Sequence, residues 1–178
     1  RRFLATSLAA SAPALLSSRA VAAGVSQRYA GLKSRRFLGK VEILAEIVDE
    51  KVFTEGPAWA GKGRLLFTNV PAAKILAWDT GRQSLSTYRE NSNLANGLYF
   101  DRAGRLLACE GGAGRVTRTE MNSGQLTVLA DKYNNFPFAA PNDLCQDKQG
   151  RTYFTSRPGV EDPSTGNVNA VYRIDPGG

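Results

Sequence analysis

The chain has 178 residues, of which 42% are hydrophobic, 9% aromatic and 22% charged, a globular composition that excludes disordered, collagen-like and disulfide-scaffold proteins. The net charge of +7 is concentrated at one end. Residues 1–40 hold 8 of the 23 Lys and Arg and none of the 16 Asp and Glu, so the remainder carries 15 positive and 16 negative charges, and no basic nucleic-acid-binding face is expected of the folded part.

In chain order, the first element is a leader. Arg1-Arg2-Phe3-Leu4 is followed by small and apolar residues through Ser18 and by the small-x-small triplet Ala20-Val21-Ala22. This layout predicts a secretory signal over residues 1–23 of the twin-arginine type, with the export machinery as a partner and a periplasmic or secreted location. Pro13, several serines and Arg19 interrupt the run, which falls short of the ~20 apolar residues a membrane span needs, so no stable insertion is expected. Residues 24–40, with Arg28, Lys33, Arg35, Arg36 and Lys40, read as a basic linker.

From residue 41 onward, Gly-punctuated apolar runs of strand length predict β structure. These runs repeat. Glu55-Gly56-Pro57-Ala58-Trp59 leads to Gly63-Arg64, Asn96-Gly97-Leu98-Tyr99-Phe100 leads to Gly104-Arg105, and Asn142-Asp143-Leu144-Cys145-Gln146 leads to Gly150-Arg151. Both the Gly-Arg pairs and the leading residues Glu55, Asn96 and Asn142 are spaced by 41 and 46. Third strands are expected at 74–79, 115–120 and 170–175, and fourth strands at 85–89 and 125–130. Four strands per ~40–45 residues is the signature of a β-propeller blade, whose sheet cannot bury both faces alone. The units fall near 53–90, 94–131 and 140–178, and the chain reads as the N-terminal half of a longer, closed ring. Trp59 and Trp78 are expected in the core, and Cys109 and Cys145 as buried free thiols. Glu110-Gly111-Gly112-Ala113-Gly114 looks superficially like a phosphate loop, but no helical pattern follows it and a hairpin explains it better.

In such a blade the first strand lines the central channel, and the second returns to the same rim. Glu55 to Asn69, Asn96 to Glu110 and Asn142 to Ser156 are each separated by 14 residues, so equivalent polar groups recur at one end of the channel. The chain has no histidine, which removes His-based nucleophiles, His-ligated zinc and a His general base. What remains is oxygen chemistry. A carboxylate and two amides at one rim suit Ca²⁺, with Mg²⁺ or Mn²⁺ as alternatives. Asp143 alternates to the other side of its strand.

At these residues the chain resembles the gluconolactonase/regucalcin (senescence-marker-protein) family of six-bladed propellers. The matching motifs are Phe53-Thr54-Glu55-Gly56-Pro57-Ala58-Trp59, Ala95-Asn96-Gly97-Leu98, Cys109-Glu110 with Arg115-Val116-Thr117-Arg118, and Pro141-Asn142-Asp143-Leu144 with Tyr153-Phe154-Thr155. The resemblance implies an all-β six-bladed propeller, about three blades of which lie here, binding one divalent cation (Ca²⁺, or Mg²⁺, Mn²⁺ or Zn²⁺). It implies Glu55 and Asn142 as metal residues and Asn142, Asn96 and Glu110 as substrate-binding residues. It also implies a catalytic Asp beyond Gly178, so no catalytic residue is named in this chain. Gly111-Gly112 and Ser156 stand where relatives often carry a His-containing loop and an Asp. The implied activity is metal-dependent opening of a small-molecule sugar lactone. Hydrolysis of phosphotriesters or aryl esters on the same scaffold, and a non-catalytic binding platform, stand as alternatives.

Overall fold

The computed structural model describes residues 31, 33, 36 and 39–177, except 159, 166 and 167; the leader expected over 1–23 and most of the linker lie outside them. The chain divides into the units Arg1–Glu42 and Ile43–Gly178. In the first, the Arg36 N–H donates to the Lys33 carbonyl at 3.0 Å in a single turn.

The second unit is built of antiparallel sheets. β1 (Thr54–Gly61), β2 (Arg64–Asn69), β3 (Lys74–Asp79) and β4 (Ser84–Arg89) form a four-stranded sheet in sequential order. β5 (Ala95–Phe100), β6 (Leu106–Glu110), β7 (Arg115–Thr119) and β8 (Leu126–Ala130) form the second. A two-residue pair, β9 (Lys132–Tyr133) and β10 (Phe136–Pro137), precedes the third sheet, β11 (Pro141–Gln146), β12 (Thr152–Ser156) and β13 (Ala170–Ile174). The first strands are neighbours in space: β1 packs on β5, and β5 on β11. This is the blade arrangement that the repeat predicts. Among the described residues no helix is long and apolar enough to cross a membrane.

The turns follow from side-chain chemistry. Asp101 accepts the N–H groups of Ala103 and Arg105 at 2.9 Å each, and its other oxygen pairs with the Arg105 Nε at 2.7 Å. Asp147 repeats this with Gln149 and Arg151. The recurring Gly-Arg is therefore one half of an Asp-to-Arg clasp across the hairpin of the second and third units.

Period-two alternation decides the core. On β6, Leu106 and Ala108 face the first sheet and join Ala58, Leu66, Ile75, Ala77, Ala95 and Leu98, while Leu107 and Cys109 face the third sheet with Val116, Phe138, Leu144 and Phe154. Each fully buried aliphatic side chain contributes ~1.5–3 kcal/mol, and the middle sheet collects this on both faces. Small residues sit where the inner strands converge. Phe138, Phe154 and Tyr172 pack ring against ring, with centroids 4.8 to 5.3 Å apart.

The same alternation overturns two expectations. Ala58 points into the core, so its neighbour Trp59 turns to the opposite face and is 57% exposed; Trp78 is buried at 5%. Leu144 points inward, so Cys145 is exposed, whereas Cys109 is buried; both thiols are free. The 110–114 segment is a hairpin closed by a 3-10 turn at Gly111–Ala113.

Candidate functional site

Each inner hairpin carries an irregularity beside the residues singled out by the repeat, and the first carries a second between Trp59 and Gly61. Glu55 pairs with Thr68 and Ala58 with Leu66; Ala95 pairs with Glu110 and Leu98 with Ala108; Pro141 pairs with Ser156 and Leu144 with Phe154. In every case the inner strand has one residue more than its partner. Such a bulge bends the strand and re-aims side chains, and it is frequent beside binding sites. Asn96-Gly97 is therefore inside β5 and not at a hairpin turn.

The inner strands touch at this level. A Cβ on Gly56 would lie 2.3 Å from the Asn96 carbonyl oxygen and 2.7 Å from the Leu98 nitrogen. A Cβ on Gly97 would lie 2.5 Å from Asp143 Oδ1 and 2.8 Å from the Asn142 carbonyl oxygen. Only glycine permits this approach, and Gly56 also holds a positive φ of 55°. Glu55, Asn96 and Asn142 thus sit on consecutive strands whose backbones are in contact. All three are half-buried. Among the described residues, their side chains make no hydrogen bond or ion pair; Glu55 and Asn96 are engaged through their carbonyls alone. One carboxylate and two amide oxygens are accordingly uncommitted at this rim.

Asp143 is exposed. Its Oδ1 accepts the Leu144 N–H at 2.8 Å, and its own N–H donates to Thr155 Oγ1 at 3.1 Å. Among the described residues no three His, Cys, Asp or Glu gather as a metal cluster. A cation at this rim would rest on Glu55 and on amide and carbonyl oxygens, a donor set that suits a hard ion.

Glu110, expected to meet substrate, differs from Glu55, Asn96 and Asn142 in that both of its carboxylate oxygens are engaged by neighbouring side chains. It is fully buried. Oε1 accepts from Arg89 Nη2 at 2.5 Å and Thr117 Oγ1 at 3.0 Å, and Oε2 accepts from Asn93 Nδ2 at 2.9 Å and Arg115 Nε at 2.8 Å. No lone pair faces open space. Burial on its own would push this carboxyl up, but the hydrogen bonds from Asn93 and Arg115 and the charge and bond of Arg89 outweigh it and hold the group below its usual value.

The register-equivalent residues do the same kind of work. Asn69, also fully buried, accepts the Phe53 N–H at 3.1 Å and donates to Asp49 Oδ2 at 2.9 Å and the Lys51 carbonyl at 3.2 Å. Asp49 is then paired with Lys74 at 2.7 Å, and that bond holds the Asp49 carboxyl below its ordinary value. Ser156 Oγ accepts the Ala140 N–H at 3.2 Å. All three pin the segment that enters an inner strand, and so set where Glu55, Asn96 and Asn142 emerge. The partners Arg89 and Asn93 escaped the sequence reading because nothing in their local pattern marks them.

Comparison with known proteins agrees with this architecture. The chain is 26% identical over 157 residues to a gluconolactonase of Zymomonas mobilis subsp. mobilis, a match covering 78% of this chain and 43% of that protein. The solved structure of a gluconolactonase from Xanthomonas campestris superposes with a TM-score of 0.62 at 28% identity, covering 72% of this chain and 46% of that one. A calcium-binding regucalcin from Agrobacterium tumefaciens shares the fold at 13% identity, with a TM-score of 0.54 over 70% of this chain and 40% of that one. The chain thus spans less than half the length of these relatives. Residues 53–178 match the SMP-30/Gluconolactonase/LRE-like region, and this stretch takes in all three sheets and the whole rim just described; the chain belongs to that family.

Proposed function

We propose that the protein containing this chain is an exported, divalent-cation-dependent hydrolase that opens sugar lactones by attack of water on the ring ester. The family supports lactone hydrolysis as the reaction class. The observation that carries the site is the rim itself: three side chains in one register, on inner strands in backbone contact, with their oxygens uncommitted.

A bound Ca²⁺ would supply a Lewis acid for the ester carbonyl and for the oxyanion that develops on it. Glu55 would provide the negative charge that holds such an ion. The Asn142 amide would offer an oxygen to the cation or a hydrogen bond to the sugar hydroxyls, and Asn96 would orient the ring from the neighbouring strand. Glu110 would act at one remove, by fixing the segment that leads to Asn96.

Two measurements on the intact protein test this reading. Calorimetry with Ca²⁺ should show about one site, which Glu55→Gln weakens at least about tenfold; equal affinity in the variant removes Glu55 from the metal. Proton release from gluconolactone should stop on chelation and return with added Ca²⁺. Turnover that survives complete chelation refutes the cation dependence.

A further inference from the structure

Thr68 is fully buried and lies on β2 directly opposite Glu55. Its Oγ1 is 3.1 Å from the Glu55 carbonyl oxygen and 3.0 Å from the Asn96 carbonyl oxygen. These acceptors belong to different sheets. A hydroxyl carries one proton, so it is shared between the two carbonyls or alternates between them. β-branching restricts the Thr side chain to few rotamers, which keeps the oxygen in the seam.

The position recurs with the repeat, as Cys109 and Thr155. Thr155 Oγ1 accepts the Asp143 N–H within its own sheet. Cys109 faces the second junction with a thiol, which is only a weak donor. Of the two junctions between inner strands in this chain, the first is therefore the one tied by a hydroxyl, that of Thr68, at the two residues that bear uncommitted oxygens.

We propose that Thr68 is a positioning residue: its hydroxyl locks the Glu55 backbone to the Asn96 backbone and so sets the separation of the side-chain oxygens offered by the first two sheets. This rests on reading the rim as a cation and lactone site. Ca²⁺ takes its oxygen ligands at about 2.3–2.6 Å, so a seam that slides carries the oxygens of one sheet away from those of the next and weakens binding.

The test compares wild type, Thr68→Val, Thr68→Ser and Thr68→Cys in the intact protein, by Ca²⁺ calorimetry and by urea unfolding. Valine keeps the shape and removes the donor. Cysteine is the side chain the fold already accepts at the equivalent Cys109, and it keeps the test open if the Val variant does not fold. Ca²⁺ affinity should fall about five- to tenfold in Val and Cys, the factor for one net hydrogen bond, and Ser should stay within about twofold of wild type. A Val or Cys variant with a lowered urea midpoint but wild-type Ca²⁺ affinity overturns the inference and leaves the cation reading intact. Wild-type protein that binds no Ca²⁺ overturns the cation reading, and this inference with it.

Discussion

Replacing Glu110 by Gln separates a structural carboxylate from a substrate-binding one. The substitution keeps the outline of the side chain but turns one oxygen into an NH₂ group. That group must face either the Arg89 and Thr117 donors or the Asn93 and Arg115 donors, and either choice sets donor against donor. The guanidinium groups of Arg89 and Arg115, with side chains 19% and 29% exposed, also lose their counter-charge. Removing one partner of a buried ion pair costs ~3–5 kcal/mol. Both arginines reach some water, which places the expected loss at the lower end, about 3 kcal/mol, out of the ~5–15 kcal/mol typical of a domain. With a urea m-value of ~1–3 kcal/mol/M, the midpoint should drop by roughly 1–3 M. Fluorescence of the buried Trp78 reports the transition. Adding Arg89→Met to the Glu110→Gln protein should recover part of the loss, because one of the two orphaned charges is then gone. An unchanged midpoint together with a raised KM for lactone would falsify the structural assignment and return Glu110 to the substrate.

Two further outcomes follow from the same geometry. Gly97→Ala places a methyl group 2.5 Å from Asp143 Oδ1 and 2.6 Å from the Asp143 Cα; the backbone contact leaves no flexible group to yield, so stability should fall by ~1–3 kcal/mol, and an unaltered melting temperature would mean that the second and third inner strands are not in contact. Acid should also destabilise the protein. Glu110 has a folded pKa below its unfolded value, so its contribution is present above the unfolded pKa of ~4.3 and is lost as the pH falls through the folded one. Asp49 and Asp147 are lowered as well and act in the same direction. The urea midpoint should decline as the pH falls below about 5, with a shallower decline in Glu110→Gln; parallel curves for the two proteins would exclude Glu110 as a source of the acid sensitivity.

Much of the architecture is readable from the chain alone, because a strand period of two and a hairpin every blade leave a repeated trace. The spacings of 41 and 46 between Glu55, Asn96 and Asn142 are enough to place these residues at equivalent points of successive inner strands. Asp101 and Asp147 are likewise recognisable as turn residues from their neighbours alone. Local pattern did not distinguish residues with the same spacing but different surroundings. Glu110 shares the register of Asn69 and Ser156, yet its role as a buried hub depends on Arg89, which is 21 residues away in another sheet. The exposure of Trp59 and Cys145 turned on which face of a sheet meets its neighbour. The bulges, the glycine contacts between inner strands and the Thr68 seam appear only once the sheets are packed, since each depends on backbone atoms of a neighbouring strand. Period and turn chemistry are local and are written in the chain; which oxygens are spent on the scaffold and which remain for a ligand is decided by contacts between blades.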